Sequence, residues 1–189
     1  MASSQLAIVN LALELLGDTP LSSLTANRLA AEVATRTYDT ALDTALQRGY
    51  WRWATTKEAL SLLVTAPLNE WTYAYQIPAT CRRLVRVYPD SSYEIYGDQV
   101  YSNTSDLAAD FVARTATTEG IMPAYFAWYA AHELAVFMAP PLTGSREIQR
   151  DAETKRMAAL PQALAIDAQQ RPNQQFRHSP FVDARRGAV

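Results

Sequence analysis

The sequence predicts an α+β fold, in which a helical bundle of about four helices carries a small inserted antiparallel β-sheet domain and an extended C-terminal arm. Apolar residues recur at helical spacing toward both ends of the chain, and short aromatic and β-branched runs fill the middle. The last residues show no periodicity. We therefore expect N-terminal helices at 1–55, a small β domain at 56–118, C-terminal helices that complete the bundle at 119–168, and the arm at 169–189.

Two helices are predicted before the β section. The first covers 3–17; Ser3 or Ser4 caps its start, and Gly17 suits the position after its end. The second covers about 25–48. The first segment lacks the basic start of a signal peptide, and no apolar run is long enough to span a membrane, so we expect neither.

The β section is predicted from short strands separated by prolines and by one tight turn. Gly97-Asp98 lies between two such strands and predicts a hairpin. The predicted strands are 58–64, 71–77, 83–88, 93–96, 99–102 and 109–115. Together they predict a small antiparallel sheet or sandwich.

Helical spacing returns at about residue 122, in a run that is apolar nearly all round and therefore predicts a helix buried on most sides. Pro140-Pro141 is expected to stop this helix, and the following "TGS" offers a cap for the next one. That last helix covers 146–168 and contains Pro161, which is expected to end or kink it.

Aromatic side chains cluster in "GYWRWA" at 49–54 and in "EWTYAYQIP" at 70–78. The first cluster is expected to anchor the junction between helices and β section, because its joint exposure would leave too much apolar area in water. In the second cluster, alternation along a strand places the aromatic residues on one face, as a buried face requires. The residues assigned to this structural aromatic core are Trp51, Trp53, Trp71, Tyr73 and Tyr75.

The arginines after this strand are not expected to form a basic stripe. Alternation places Arg82 and Arg86 with Leu84 on one face, and Arg83 with Val85 on the other. This division favours a core face with a charged rim over a platform that stacks nucleic-acid bases. The formal net charge of −2 also argues against a dedicated nucleic-acid binder, which needs a basic excess.

The sequence offers little catalytic chemistry. His132-Glu133 starts like a zinc-protease helix, but position 136 is valine instead of the second histidine. Cys81 has arginines nearby that can lower a thiol pKa, although a buried or rim position is the simpler interpretation. Asp39 and Asp43 share a helix face and are interpreted as solvated surface. Without a phosphate-binding loop or nucleophile elbow, no catalytic, cofactor-binding or metal-binding residue is assigned.

The arm cannot bury enough apolar area to order itself alone, so we expect it to dock on a partner. Its apolar residues are expected to anchor that contact and its arginines to line the rim. The predicted contact residues are Phe176, Arg177, Phe181, Val182, Arg185 and Arg186.

The order of these features resembles the head-to-tail adaptor family of short-tailed bacteriophages, also called tail tubular protein A, over almost the whole chain. Three stretches carry the resemblance: an asparagine-containing helix that leads into Leu-Gly-Asp at 10–18, the Arg-Gly-Tyr-Trp helix end at 48–51, and the aromatic strand that ends in proline at 71–78. The short β section and Pro161 depart from some relatives, which leaves the identity of the tail partner open.

The resemblance implies a structural virion protein without enzymatic activity or cofactor. Such adaptors form a ring, usually dodecameric, that joins the portal protein to the tail nozzle and fibres around the channel through which the genome is ejected. DNA passes without sequence-specific binding, and no membrane is involved. The implied location is the tail and neck of the virion, after assembly in the host cytoplasm.

Three alternatives stay open at this point. A head-completion or tail-terminator protein would share the ring geometry. A nucleic-acid-binding module would use Trp51, Trp53 and Trp71 together with the arginines. A small hydrolase would need Cys81 or His132 as its reactive group.

Overall fold

The computed structural model describes residues 4–68 and 70–170. Over these residues the predicted α+β class is confirmed, with five helices and two small antiparallel sheets. The helices are α1 (Gln5–Leu15), α2 (Leu29–Gln47), α3 (Thr118–Ile121), α4 (Ala124–Thr143) and α5 (Arg146–Gln169). The strands are β1 (Thr55–Ala59), β2 (Ser61–Leu62), β3 (Tyr73–Gln76), β4 (Cys81–Tyr88), β5 (Tyr93–Tyr96), β6 (Gln99–Ser102) and β7 (Ala108–Ala113).

Both ends of α1 are capped as predicted. Ser4 is the N-cap, and its hydroxyl accepts a hydrogen bond from the backbone N–H of Ala7. Gly17 follows the helix with a φ of 76°, and the N–H of Asp18 donates to the carbonyl of Leu13 at 2.9 Å. This ending requires a residue that adopts the left-handed conformation without strain, which explains the glycine.

α2 begins at Leu29, later than predicted, because side chains hold the preceding loop outside helical geometry. The amide of Asn10 binds both backbone groups of Leu21, accepting from the N–H at 2.8 Å and donating to the carbonyl at 3.0 Å. Arg28 pairs with Asp18 at 2.9 Å. The backbone of this loop therefore has hydrogen-bond partners outside a helix, and α2 does not need to begin earlier to satisfy it.

The prolines do not end their helices, contrary to the prediction. α4 continues through Pro140 and Pro141 and ends before Gly144, which has a φ of 61°. α5 continues through Pro161, whose side chain is exposed, as far as Gln169. The packing of α4 and α5 along one another stabilises both helices and outweighs the backbone hydrogen bonds that proline cannot donate.

The strands form two sheets in the orders β1-β7-β4 and β2-β3-β6-β5, and every pairing is antiparallel. The hairpin predicted at Gly97-Asp98 is confirmed, since Tyr96 pairs with Gln99 and Gly97 has a φ of 60°. The turn therefore fixes the register of β5 against β6.

The single strand predicted at 58–64 is instead broken at Leu60. The side chain of Leu60 is buried, and its N–H donates to the carbonyl of Leu107 at 2.8 Å. On either side, β1 joins the first sheet and β2 joins the second. A continuous apolar run can thus connect two sheets instead of forming one strand. Leu60 is buried at the connection, and the residues on either side of it stay extended in β1 and β2.

The first sheet is the middle layer of the molecule. Adjacent residues of β7 point in opposite directions, so that Val112 joins the helical core and Phe111 joins a second core between the sheets. α2 packs against β4 and β7, while Tyr75 and Val100 of the second sheet complete the second core. The layers are therefore the helices, the first sheet and the second sheet, in that order.

Close packing at the junction between α2 and the β section gives a stability prediction. A Cβ atom at Gly49 would lie 2.7 Å from Leu164 Cδ2 and 2.9 Å from the ring of buried Trp51. We expect Gly49→Ala to lower the free energy of unfolding by roughly 1–3 kcal/mol through overpacking. Urea denaturation followed by circular dichroism measures this change.

The matched control is Gly120→Ala, because a Cβ atom there meets nothing within 4 Å. We expect this variant to be neutral or slightly more stable than the wild type, since alanine is the better helix former. Equal effects of the two substitutions would show that the junction is not tightly packed.

Candidate protein-binding surface

Both oxygens of the buried carboxylate of Glu133 in α4 accept hydrogen bonds. Arg48, at the end of α2, approaches it with Nε at 2.9 Å and Nη2 at 3.1 Å, and the hydroxyl of Tyr129 donates to it at 2.9 Å. Arg156 of α5 lies 3.8 Å away. Burial, and then the charge of Glu133, raises the pKa of Tyr129, so the hydroxyl stays a donor. This carboxylate joins three helices and is not a free general base.

A second buried carboxylate, Asp167, joins α5 to the turn that precedes β1. It accepts from the backbone N–H of Arg52 at 2.9 Å and from the hydroxyl of Tyr125 at 2.6 Å. Burial, followed by the hydrogen bond to Asp167, raises the pKa of Tyr125. Like Glu133, Asp167 is used to hold elements together.

Asp39 is exposed, as the interpretation of a solvated surface expects, but Asp43 is half-buried and both carboxylates belong to an ionic cluster. Arg114, just after β7, places Nη2 at 2.5 Å from Asp39 and Nη1 at 3.0 Å from Asp43. Arg82 of β4 adds its Nε at 2.8 Å from Asp43. Burial alone would lower the pKa of Arg114, but its bonds to the two carboxylates raise it. The cluster fastens α2 to the first sheet.

The arginines of β4 do not alternate as predicted. The register shifts between Cys81 and Arg83 and again between Leu84 and Arg86, because the strand is bulged at both places. As a result Arg82 and Arg83 both reach α2, the latter through Nη1 at 3.2 Å from the carbonyl of Gln47. Strict alternation fails because each bulge inserts an unpaired residue.

Cys81 and His132, the two residues considered as reactive groups in the sequence analysis, pack within the fold. Cys81 is half-buried beside the second core, and burial raises the pKa of its thiol despite the neighbouring Arg82. His132 is buried, and its Nδ1 lies 2.8 Å from the carbonyl oxygen of Trp128. Within 4–68 and 70–170, no group of histidine, cysteine and acidic residues is arranged to hold a metal ion.

The predicted aromatic core is divided between two clusters. Trp51 is fully buried in the helical core, where its ring centroid lies 4.7 Å from that of Phe126, and the ring of Trp53 also packs on Phe126, at 4.8 Å. Tyr75 and Tyr73 belong to the core between the sheets. The sequence did not indicate that these residues belong to two separate cores, because its pattern predicts burial for both pairs and does not specify what each pair packs against.

Trp71 lies away from both clusters. Its side chain is half-buried, and its Nε1 donates to Glu94 at 3.2 Å on the outer side of the second sheet. Ala74, which alternation places on the face opposite Tyr75, is also buried. β3 is therefore covered on both faces, and the one-sided core predicted for it was too simple.

An exposed apolar surface, here called the distal patch, lies on the second sheet and the loop after β2. Val64 and Leu68 are fully exposed and line one cleft together with Tyr96, which is about half exposed. Leu62 and Ile95 are also about half exposed, but strand pairing places them on the face of Tyr75 and Val100, so they lie outside this patch. This sheet is the layer farthest from the helices. Large exposed apolar patches mark protein contacts. Sequence reasoning missed it because the run 58–64 was assigned to a single strand of the sheet.

A second uncharged surface, here called the α5 face, covers the last half of that helix. Its exposed residues are uncharged and include Met157, Pro161, Ala165 and Ile166. The two charged residues in 156–169, Arg156 and Asp167, are both buried. The first half of α5 exposes charges instead, including the pair Asp151–Lys155 at 2.6 Å. The helix thus changes from a solvated to an uncharged exterior.

The predicted arm contacts fall outside the described residues; they are Phe176, Arg177, Phe181, Val182, Arg185 and Arg186. His178 falls there too. Among the helices of the part that the structure describes, none combines the length and apolar character that crossing a membrane requires.

Neither a scan of the chain against models of known protein families nor a search among curated proteins found a match.

The cluster between α2 and the first sheet gives a second stability prediction. Asp43→Ala leaves Arg114 and Arg82, both mostly buried, without their shared acceptor. We expect a loss of roughly 1–3 kcal/mol in the free energy of unfolding. Urea denaturation of the variant beside the wild type measures it.

Asp151→Ala is the matched control, because it makes the same substitution inside a helix but removes an exposed pair. We expect a change below about 0.5 kcal/mol. If Asp43→Ala were as mild as the control, the cluster would not join the layers.

The raised pKa of Cys81 gives a pH prediction. The ordinary pKa of a cysteine thiol is about 8.5, and burial raises the pKa of Cys81 in the folded chain. Below the ordinary pKa the thiol is neutral in both states, and its full contribution to the stability of the folded state is present. As the pH rises further, the unfolded chain loses the proton first, so this contribution to stability is lost. We therefore expect the free energy of unfolding to fall between pH 8 and 10, and Cys81→Ser to fall less. An identical pH profile for both chains would contradict the burial of the thiol.

Proposed function

We propose that this chain is a structural virion protein, a ring-forming head-to-tail adaptor that joins a portal protein to a tail nozzle and fibres around a DNA channel. The observation that carries the proposal is the presence of two separate uncharged surfaces, the distal patch and the α5 face. A cyclic ring uses heterologous interfaces, which need different surfaces on each subunit. Two unlike uncharged surfaces, one on the helices and one on the second sheet, meet that requirement.

The use of charge inside the molecule supports an assembly role. The buried carboxylates of Glu133 and Asp167 are bonded by donors of the chain itself. A general acid or base must instead reach the proton that it transfers on a substrate. Among the described residues, the buried carboxylates therefore hold structural elements together, as expected in a scaffold protein.

The stretches that carry the resemblance have scaffold roles, which also supports the proposal. Asn10 and Asp18 hold the loop between α1 and α2. Arg48 binds Glu133, Gly49 leaves room for Leu164, and Trp51 fills the helical core. Residues of this kind stabilise the fold and do not themselves make contacts to a partner.

The net charge of −2 suits a channel through which DNA must slide, since a strongly basic lining would hold the phosphates. The arm was predicted to begin at residue 169, but Gln169 still belongs to α5 and Gln170 is its C-cap. We propose that the helices form one bundle into which the β section is inserted, and that the rest of the predicted arm, 171–189, is directed toward the portal. In this arrangement the distal patch meets the tail nozzle and the α5 face meets a neighbouring subunit. The protein would lie in the neck of the virion.

The test is assembly with the portal protein of the same virus. We expect negative-stain images of the mixture to show a ring directly beneath the portal, and the chain truncated after Gln170 to fold normally but to lose this ring. Circular dichroism checks the fold of the truncated chain, because the removed residues follow the last helix.

A full-length chain that stays monomeric in the presence of the portal would contradict the proposed function. A truncated chain that assembles like the full-length one would leave the adaptor role standing but would remove the arm as the docking element. Imaging also separates an adaptor from a tail terminator, which would sit at the far end of the tail.

A further inference from the structure

A groove between α1 and α4 is lined only by apolar side chains, and it is here called the α1–α4 groove. It has a volume of about 180 Å³, which leaves room for one large apolar side chain. Trp128 lies beside it and keeps 36% of its surface exposed. The lining residues are Ala7, Ile8, Leu11, Ala124, Ala127 and Trp128.

α1 has more apolar surface than the helical core covers. Eight of its eleven residues are apolar, which is typical of a helix that is buried on most sides. Ala7 is nevertheless exposed, and Leu6 and Leu11 are only half-buried. The side of α1 that borders the groove therefore lacks an apolar cover within the described part of the chain, and such surfaces mark protein contacts.

The groove and the α5 face are carried by different helices of one chain. α4 packs along both α1 and α5, whereas α1 and α5 make at most marginal contact with each other. Because α4 separates the two surfaces, the α5 face cannot cover the groove of its own chain. The α5 face of a second copy can, since a cyclic ring sets one surface of a subunit against a different surface of the next.

The α5 face offers a side chain that suits the groove. Met157 has 57% of its surface exposed, and methionine adapts to irregular apolar gaps. Pro161 and Ala165 follow it at spacings of four residues and are also exposed, so they lie on the same side of the helix. Their small side chains allow a second helix to approach closely.

Two exposed charges distinguish the possible orientations of this contact. Glu14 follows Ala7 by seven residues in α1, and Arg150 precedes Met157 by seven residues in α5. Each charge therefore lies about 10 Å from the apolar contact, on the same side of its helix. Within 4–68 and 70–170, neither charge takes part in an ion pair.

The antiparallel orientation is the one that pairs these charges. When α5 of one copy runs antiparallel to α1 of the next, with Met157 in the groove, Arg150 meets Glu14. When the helices run parallel, Glu14 instead meets the half of α5 whose exposed residues are uncharged. The equal spacing of the two charges thus favours one direction of packing.

We propose that a second copy of this chain covers the α1–α4 groove with its α5 face, antiparallel to α1, so that Met157 fills the groove and Arg150 pairs with Glu14. The contact rests on the proposed function, because it is the contact between neighbouring subunits of the ring. It adds which surface of the neighbour the α5 face meets and in which direction.

Disulfide trapping in rings assembled beneath the portal tests the contact. In a Cys81→Ser background, the full-length chain carries Ala7→Cys and Met157→Cys. Each copy would be bonded to two neighbours, so we expect mild oxidation to give a ladder of covalent oligomers beyond the dimer on a denaturing gel. The control pair is Ala7→Cys with Ile166→Cys, which is exposed on the same face about 13 Å farther along the helix. We expect no ladder from it.

Negative-stain images of the same samples separate the failure of this contact from the failure of the proposed function. Rings in which the test pair gives no disulfide, gives only dimers, or reacts no faster than the control pair would overturn the contact and leave the adaptor function standing. Absence of rings in the wild type would contradict the adaptor function and the contact with it.

Charge reversal gives an independent measurement. Glu14→Arg and Arg150→Glu each place like charges at the contact, so we expect the protein concentration for half-maximal ring formation to rise roughly tenfold. The double variant restores an opposite pair and should return to within about threefold of the wild type. Both side chains are exposed, so circular dichroism should show the same fold in every variant.

Arg36→Glu is the matched control, because it reverses an exposed charge on α2 instead. We expect it to leave ring formation unchanged. A double variant that does not recover, or an equal loss in Arg36→Glu, would show that Glu14 and Arg150 do not pair between copies.

Discussion

The arrangement of the helices depends on the burial of Glu133. Its carboxylate lies inside α4 and is met by guanidinium groups from the end of α2 and from α5. An unpaired carboxylate in that position would cost several kcal/mol, so the three helices are held in the one arrangement that pairs it. Trp51, which packs beside Tyr129, starts the connection to the sheets from this fixed point. The β section is then held to this bundle by Asp43, which pairs with Arg114 and Arg82, and by Asp167, which binds the turn before β1.

Several charged side chains hold the interior of the molecule together, whereas several large apolar side chains are exposed to water. Two acidic residues of the helices join separate elements: Asp43 binds Arg114 after β7, and Asp167 accepts from the backbone N–H of Arg52. Apolar side chains such as Val64 and Leu68 are instead left in water. Such a molecule gains by covering its surface with other proteins, since exposed apolar area is the main source of association free energy. The internal electrostatics and the surface thus support the same assembly role.

The residues that suggested a family are the residues that hold the scaffold. Asn10 orders a loop, Arg48 neutralises a buried acid, and Gly49 permits close packing. Such residues are evidence for the fold and not for the partners of the protein. The argument for partners rests on the surfaces, which vary more freely than the core because their packing is not fixed by the chain itself.

The sequence by itself determined the fold class, the capped ends of α1 and the hairpin at Gly97, because each depends on residues a few positions apart. Only the tertiary structure decided that Asp43 belongs to an ionic cluster, since its partner Arg114 is 71 residues away. It also decided that α5 passes through Pro161 and that Val64 faces water. These outcomes depend on which layer covers each residue, and local spacing carries no information about that.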